Sequence, residues 1–91
     1  MVLHLIQRSP FSSTSLSDCL NIIDNEDSLL FMQDGIYIQN HPTLPSISNP
    51  VYALQDDLKA RGLATNKLCK SIDYQEFVKL CTLHEKVISW Y

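Results

Sequence analysis

Val51-Tyr52-Ala53-Leu54-Gln55-Asp56-Asp57-Leu58-Lys59-Ala60-Arg61-Gly62-Leu63 reads as a short buried strand that runs straight into a two-turn helix. The first four residues are continuously apolar, the pattern of a strand covered on both faces. Asp56 and Asp57 then fall in the first helical turn and Lys59 and Arg61 in the last, an order that complements the helix dipole. Gly62 suits the left-handed position just beyond the helix end. A strand leading directly into a helix is the building unit of an α/β layer.

Upstream, residues 39–50 contain Pro42, Pro45 and Pro50 and are expected to be mostly irregular. Residues 28–33 form a second strand around Leu29-Leu30-Phe31-Met32, followed by a turn at Asp34-Gly35. Ile36-Tyr37-Ile38 fits a helical turn or an extended piece, and three residues are too few for periodicity to choose. Further back, Ser15 and Asp18 make an approximate capping box. The helix they open places Leu16, Cys19, Leu20 and Ile23 on one apolar face. Val2 to Ile6 is a short apolar run and reads as the first strand.

Downstream, residues 68–72 form a weaker fourth strand, interrupted by Lys70 and Ser71. Asp73-Tyr74-Gln75-Glu76 is a second capping-box pattern, with Asp in place of Ser or Thr. It opens a helix whose core stripe is expected to be Tyr74, Phe77, Val78 and Cys81. The apolar end, Val87-Ile88-Ser89-Trp90-Tyr91, fits a last strand or a docking segment. The alternation predicts one small α/β domain over residues 1–91. Its sheet is mainly parallel with four to five strands, helices lie on both faces, and crossovers are right-handed.

Ninety-one residues bury a thin core. Oligomerisation, including self-association of the isolated chain, is one way to cover more apolar surface. Hydrophobic residues make up 45% of the chain and charged residues 19%, consistent with partners covering part of the surface. The net charge is −3 and the seven basic residues are dispersed, so no stripe neutralises several phosphates and direct nucleic-acid binding is not expected. No apolar run is long enough to span a membrane. The opening Met1-Val2-Leu3-His4-Leu5-Ile6 lacks the charged leader and small-residue cleavage site of a signal peptide. Three widely spaced cysteines fit reduced thiols better than a secreted disulfide scaffold. A cytoplasmic location is therefore expected.

Enzyme motifs are largely missing: a Ser/His/Asp triad stays open, but no nucleophile-elbow motif is present. With only two glycines the chain has no phosphate-cradling loop. His4, His41 and His84 have no metal-ligand spacing to one another or to the cysteines. No cofactor or metal is expected. The cysteines are the remaining chemical candidates, because a thiolate with access is a nucleophile. Cys19 lies about one turn into its helix, near the positive end, but Asp18 is adjacent and the residue falls on the apolar face. A small buried hydrophobe and a reactive thiol both fit. Cys69, beside Lys70, and Cys81, on the last helix's stripe, read more readily as packing residues. Trp90 and Tyr91 either close the core or anchor an interface.

Several segments, in order, resemble the TusB/DsrH family of sulfur-relay subunits. These are Leu3-His4-Leu5-Ile6-Gln7-Arg8-Ser9-Pro10-Phe11, Leu29-Leu30-Phe31-Met32-Gln33-Asp34-Gly35-Ile36-Tyr37, Val51 to Leu63, Ile72-Asp73-Tyr74-Gln75-Glu76-Phe77-Val78, and Trp90. The resemblance implies a DsrE/DsrF/DsrH-like fold and an accessory or sulfur-carrier subunit rather than a stand-alone catalyst. It implies a heterohexamer with TusC/DsrF-like and TusD/DsrE-like subunits. Persulfide sulfur would pass through it from a TusA-like donor to a TusE/DsrC-like acceptor. In the Tus branch the sulfur serves 2-thiolation of the tRNA wobble uridine; in the Dsr branch the complex serves sulfur oxidation. DsrH-type members carry a cysteine in the first helix, and Cys19 falls at that place, which makes it the candidate persulfide carrier. Residues 39–50 are short and proline-rich where the family commonly has a second helix. Cys69 and Cys81 match no family motif. Other classes stay open beside this resemblance: a stand-alone thiol enzyme, which needs an exposed Cys19, and a structural, self-associating domain.

Overall fold

The computed structural model describes residues 1–90; Tyr91, the second aromatic anchor candidate, lies outside the described residues. Five strands run in parallel: β1 (Val2–Ile6), β2 (Ser28–Phe31), β3 (Val51–Leu54), β4 (Lys70–Ile72) and β5 (Lys86–Trp90). Their spatial order is β4-β3-β2-β1-β5. Three α-helices accompany them: α1 (Ser15–Ile22), α2 (Gln55–Ala60) and α3 (Tyr74–Leu83). The expected α/β class is observed, with the sheet wholly parallel and five-stranded.

The order of the strands accounts for the placement of the helices. From β1 to β4 each connection steps in one direction, so right-handed crossovers put every connecting segment on one face. The β4–β5 connection steps back past β3, β2 and β1, and the same handedness carries α3 to the opposite face. Two apolar clusters result. The larger joins Ile6, Leu29, Phe31, Val51 and Ala53 of the sheet to Leu16 and Cys19 of α1 and Leu58 of α2. The smaller joins Leu3, Leu5, Leu30 and Ile72 to Phe77, Leu80 and Cys81 of α3. All four residues of β2 are buried, as continuous apolarity predicts for a central parallel strand.

The strand–helix unit from Val51 to Leu63 forms as read. Gly62 has φ +65°, the left-handed region open to glycine. Its N–H donates to the Lys59 carbonyl at 3.1 Å, and the Leu63 N–H donates to the Leu58 carbonyl at 2.9 Å. These two bonds make a Schellman ending, with Leu63 packed on the cluster that holds Leu58. Arg61, at the helix end, pairs with Asp34 at 3.1 Å and Asp57 at 3.8 Å.

Elsewhere the structure decides readings the sequence left open and corrects others. Residues 33–40 form a 3-10 helix and Leu44–Ser46 a second short one, so β2 and β3 are joined without an α-helix. Gln33 enters the first of these with φ 51°, and its N–H is capped by the Asp57 carboxylate at 2.6 Å. The N-cap of α1 is Thr14, not Ser15, and makes no side-chain cap bond; Ser15 is occupied by the Ser13 hydroxyl instead. On α3 the capping box is complete, with Asp73 accepting from the Glu76 N–H at 2.8 Å and Glu76 accepting from the Asp73 N–H at 3.2 Å. The expected core stripe is rotated, however: Tyr74 is 63% and Val78 47% exposed, while Phe77, Leu80 and Cys81 face the sheet. The helix meets the sheet from a turn that starts on polar Asp73, which brings positions 77, 80 and 81 under it. Tyr74 and Val78 are left one step around the helix surface.

Candidate functional site

The chemistry-bearing residues fall into separate places. Cys19, the fifth residue of α1, lies past the first turn, where the helix dipole has faded. Its side chain is fully buried between α1 and the sheet. Burial, with the Asp27 carboxylate acting in the same direction, pushes its thiol up to about 12. A thiol so placed is protonated and shielded at neutral pH, the opposite of what nucleophilic attack requires. In this conformation Cys19 is a packing residue.

Cys69 is buried just before β4, and burial raises its pKa. Lys70 beside it is exposed. Cys81 is partly buried on the sheet side of α3, and burial raises it too. All three are free thiols and lie in different parts of the fold. Among the described residues no group of His, Cys, Asp and Glu is placed to hold a metal ion, and no helix is long and apolar enough to cross a membrane.

The structure assembles one polar cluster that spacing does not reveal. His4 points from the middle of β1 into the larger core and is 2% exposed. Its Nε2 lies 2.9 Å from Oδ2 of Asp27, on the loop entering β2, and its Nδ1 accepts the Trp90 indole N–H at 3.0 Å. Asp27 also accepts the Val2 N–H at 3.0 Å and the Asp24 N–H at 3.2 Å. Burial works to raise the Asp27 pKa, but the bonds from His4, Asp24 and Val2 outweigh it and hold the carboxyl below its ordinary value. Three sequence-distant elements are thereby clasped at the core: β1, the α1–β2 loop and β5. The one signal available in the sequence is a histidine inside an apolar strand, which needs polar partners if buried.

Trp90 is partly buried and packs against the larger core, so its observed position closes the fold at the edge of β5. The other histidines are outside this cluster. His41 Nδ1 accepts the Thr43 N–H at 3.1 Å, and its ring meets Phe11 edge-on. His84 caps α3 through Leu80 and reaches the Ser28 hydroxyl. A small cleft of about 70 Å³ lies between Leu16 and Leu20 of α1 and His41 and Thr43. Tyr74, Val78 and Leu83 of α3 and Val87 of β5 remain exposed, as do Met1, Phe11, Ile22 and Leu68 elsewhere.

A family described as DsrH like protein matches residues 8–87. Protein TusB of Escherichia coli O81 (strain ED1a) is 37% identical over 97 residues, covering 98% of this chain and 100% of that protein. Protein TusB of Escherichia coli O6:K15:H31 (strain 536 / UPEC) matches to the same extent. Among solved structures, the crystal structure of ychN protein from E. coli superimposes with a TM-score of 0.72, covering 98% of this chain and 97% of that one. At 16% identity that likeness speaks for the fold alone.

Proposed function

The chain belongs to the DsrH-like family, and on that footing we propose that it is an accessory, non-catalytic subunit of a sulfur-relay complex. The observation that carries the accessory role is the state of Cys19: fully buried, with its thiol pushed up to about 12. A persulfide carrier has to present a thiolate to its donor. The uncovered apolar side chains of α3 and β5 suit a chain that works among TusC/DsrF-like and TusD/DsrE-like partners in a heterohexamer. Sulfur then enters from a TusA-like donor and leaves to a TusE/DsrC-like acceptor through cysteines of the partner subunits. The likeness to Protein TusB favours 2-thiolation of the tRNA wobble uridine in the cytoplasm over sulfur oxidation as the pathway served.

The test is to co-express the chain with the TusC-like and TusD-like proteins of its own source and load the purified assembly with a persulfidated donor. The expected result is one heteromeric species, with added sulfur on a partner cysteine and none on Cys19 by mass spectrometry. Failure of the three chains to co-purify overturns the subunit role. Sulfur on Cys19 overturns the accessory role and supports the carrier role that the resemblance allows.

A further inference from the structure

We propose that His4 is a proton-operated latch on Trp90: while neutral it holds the indole at the end of β5, and on protonation it releases the indole yet keeps its hold on Asp27. The geometry fixes the protonation pattern. An indole N–H can only donate, so Nδ1 of His4, which receives it at 3.0 Å, must carry a lone pair. The ring hydrogen of the neutral imidazole then sits on Nε2 and points at Oδ2 of Asp27, 2.9 Å away. His4 is therefore a neutral Nε2–H tautomer with its two bonds running in one direction, from Trp90 through the ring to Asp27.

Adding a proton affects the two bonds differently. The proton can only go to Nδ1, which turns that nitrogen from acceptor to donor. Two N–H groups then face each other and the Trp90 bond is lost. The Nε2–H still points at Asp27, and the pair gains charge. The groups around the ring favour this outcome. Among the described residues, Asp27, on the α1–β2 loop, is the one carboxylate bonded to it. The Cys19 thiol of α1 is protonated and adds no charge. The Met1 amine pairs with Glu85 at 3.2 Å, and Ser28 pairs with His84 on the other face of the sheet. Trp90 is the side chain that β5 contributes to the ring. Acid thus loosens the last residue of an edge strand, while β1 stays clasped to the loop.

The test uses the same linkage: a donor that bonds only neutral His4 competes with the proton for Nδ1. The full chain, labelled with ¹⁵N, is followed by NMR across the range, about pH 5 to 8, in which imidazoles ionise. The chain has one tryptophan, so its indole N–H resonance and its emission need no assignment. The expected result is that both titrate with the midpoint of the His4 ring nitrogens. In Trp90→Phe, which keeps the aromatic packing and removes the donor, His4 should bind protons about 3- to 10-fold more tightly, the equivalent of one hydrogen bond. An indole resonance that stays fixed while His4 titrates overturns the proposal. So does a His4 that stays neutral until the chain unfolds, or a Trp90→Phe midpoint equal to the native one. Should Trp90→Phe not fold, the native titration decides alone.

Discussion

Gly35 lies directly against the carbonyl oxygen of Ile6, so closely that a methyl group on Gly35 would overlap that oxygen. The contact sits where β1 ends and the 3-10 segment after β2 passes over it, held by the Met32 N–H on the same carbonyl at 3.0 Å. Gly62, the other glycine, has open space around its Cα but a φ of +65°. The two glycines are thus required for different reasons. Gly35→Ala should cost about 1–3 kcal/mol or more, as backbone must shift. Gly62→Ala should cost about 1–2 kcal/mol through left-handed strain, and Gly62→Asn should cost less, since Asn tolerates that region. Urea unfolding of the three variants checks the order.

The capping box on α3 is exposed and isolated, so its removal reports on the helix end alone. Asp73→Ala should destabilise the chain by about 1 kcal/mol, and Asp73→Ser should restore most of it. Thermal unfolding monitored by circular dichroism measures both.

Asp27 gives a pH signature. Its folded carboxyl titrates below the ordinary 3.8, so the folded state binds fewer protons than the unfolded chain in acid. The stability it confers is complete above that ordinary value and is lost as pH falls through the folded pKa. Native protein should therefore exceed Asp27→Asn in stability at about pH 6, and the gap should narrow at about pH 3. Urea midpoints at the two pH values test this; a constant gap would contradict it.

Cys19 gives the opposite signature. Its thiol is raised from 9.0 to about 12, so between those values the unfolded chain has lost a proton that the folded chain retains. Stability is full below pH 9.0 and falls as pH rises from there toward 12. Cys19→Ala should show a shallower alkaline decline. At neutral pH, native alkylation should modify Cys81 first and leave Cys19 and Cys69 protected, because only Cys81 is partly exposed. Timed labelling with mass spectrometry reads the sequence of events.

Much of the layer architecture was legible because each signal was local. Gly62 after Arg61 marks a helix end within four residues of the bonds that form it. Continuous apolarity in Leu29-Leu30-Phe31 needs no knowledge of neighbours to indicate a strand covered on both faces. A helical turn at Ile36-Tyr37-Ile38 was one of two readings, but the extent of the 3-10 helix over residues 33–40 was not legible, since its start depends on Asp57, 24 residues away, capping Gln33. The rotation of α3 was hidden because Tyr74/Val78 and Phe77/Leu80/Cys81 are two overlapping apolar stripes, and only the docked sheet selects one. The His4 clasp was the least visible: its partners lie 23 and 86 residues away and meet only through sheet order. The apolar-face position of Cys19 already allowed a small buried hydrophobe, and the α1–sheet interface that covers it is what the sequence does not show.

The pairing of β1 with β5 has a mechanical consequence. The two strands run in the same direction through five register pairs, from Val2↔Lys86 to Ile6↔Trp90. A pull applied at the Val2 end of one and the Trp90 end of the other drags the strands past each other along their length. Every rung of the ladder then bears load at once, and none can give way singly as in a zipper. Tension along that axis meets the fold in its stiffest direction, whereas peeling β5 sideways from the sheet edge breaks one rung at a time.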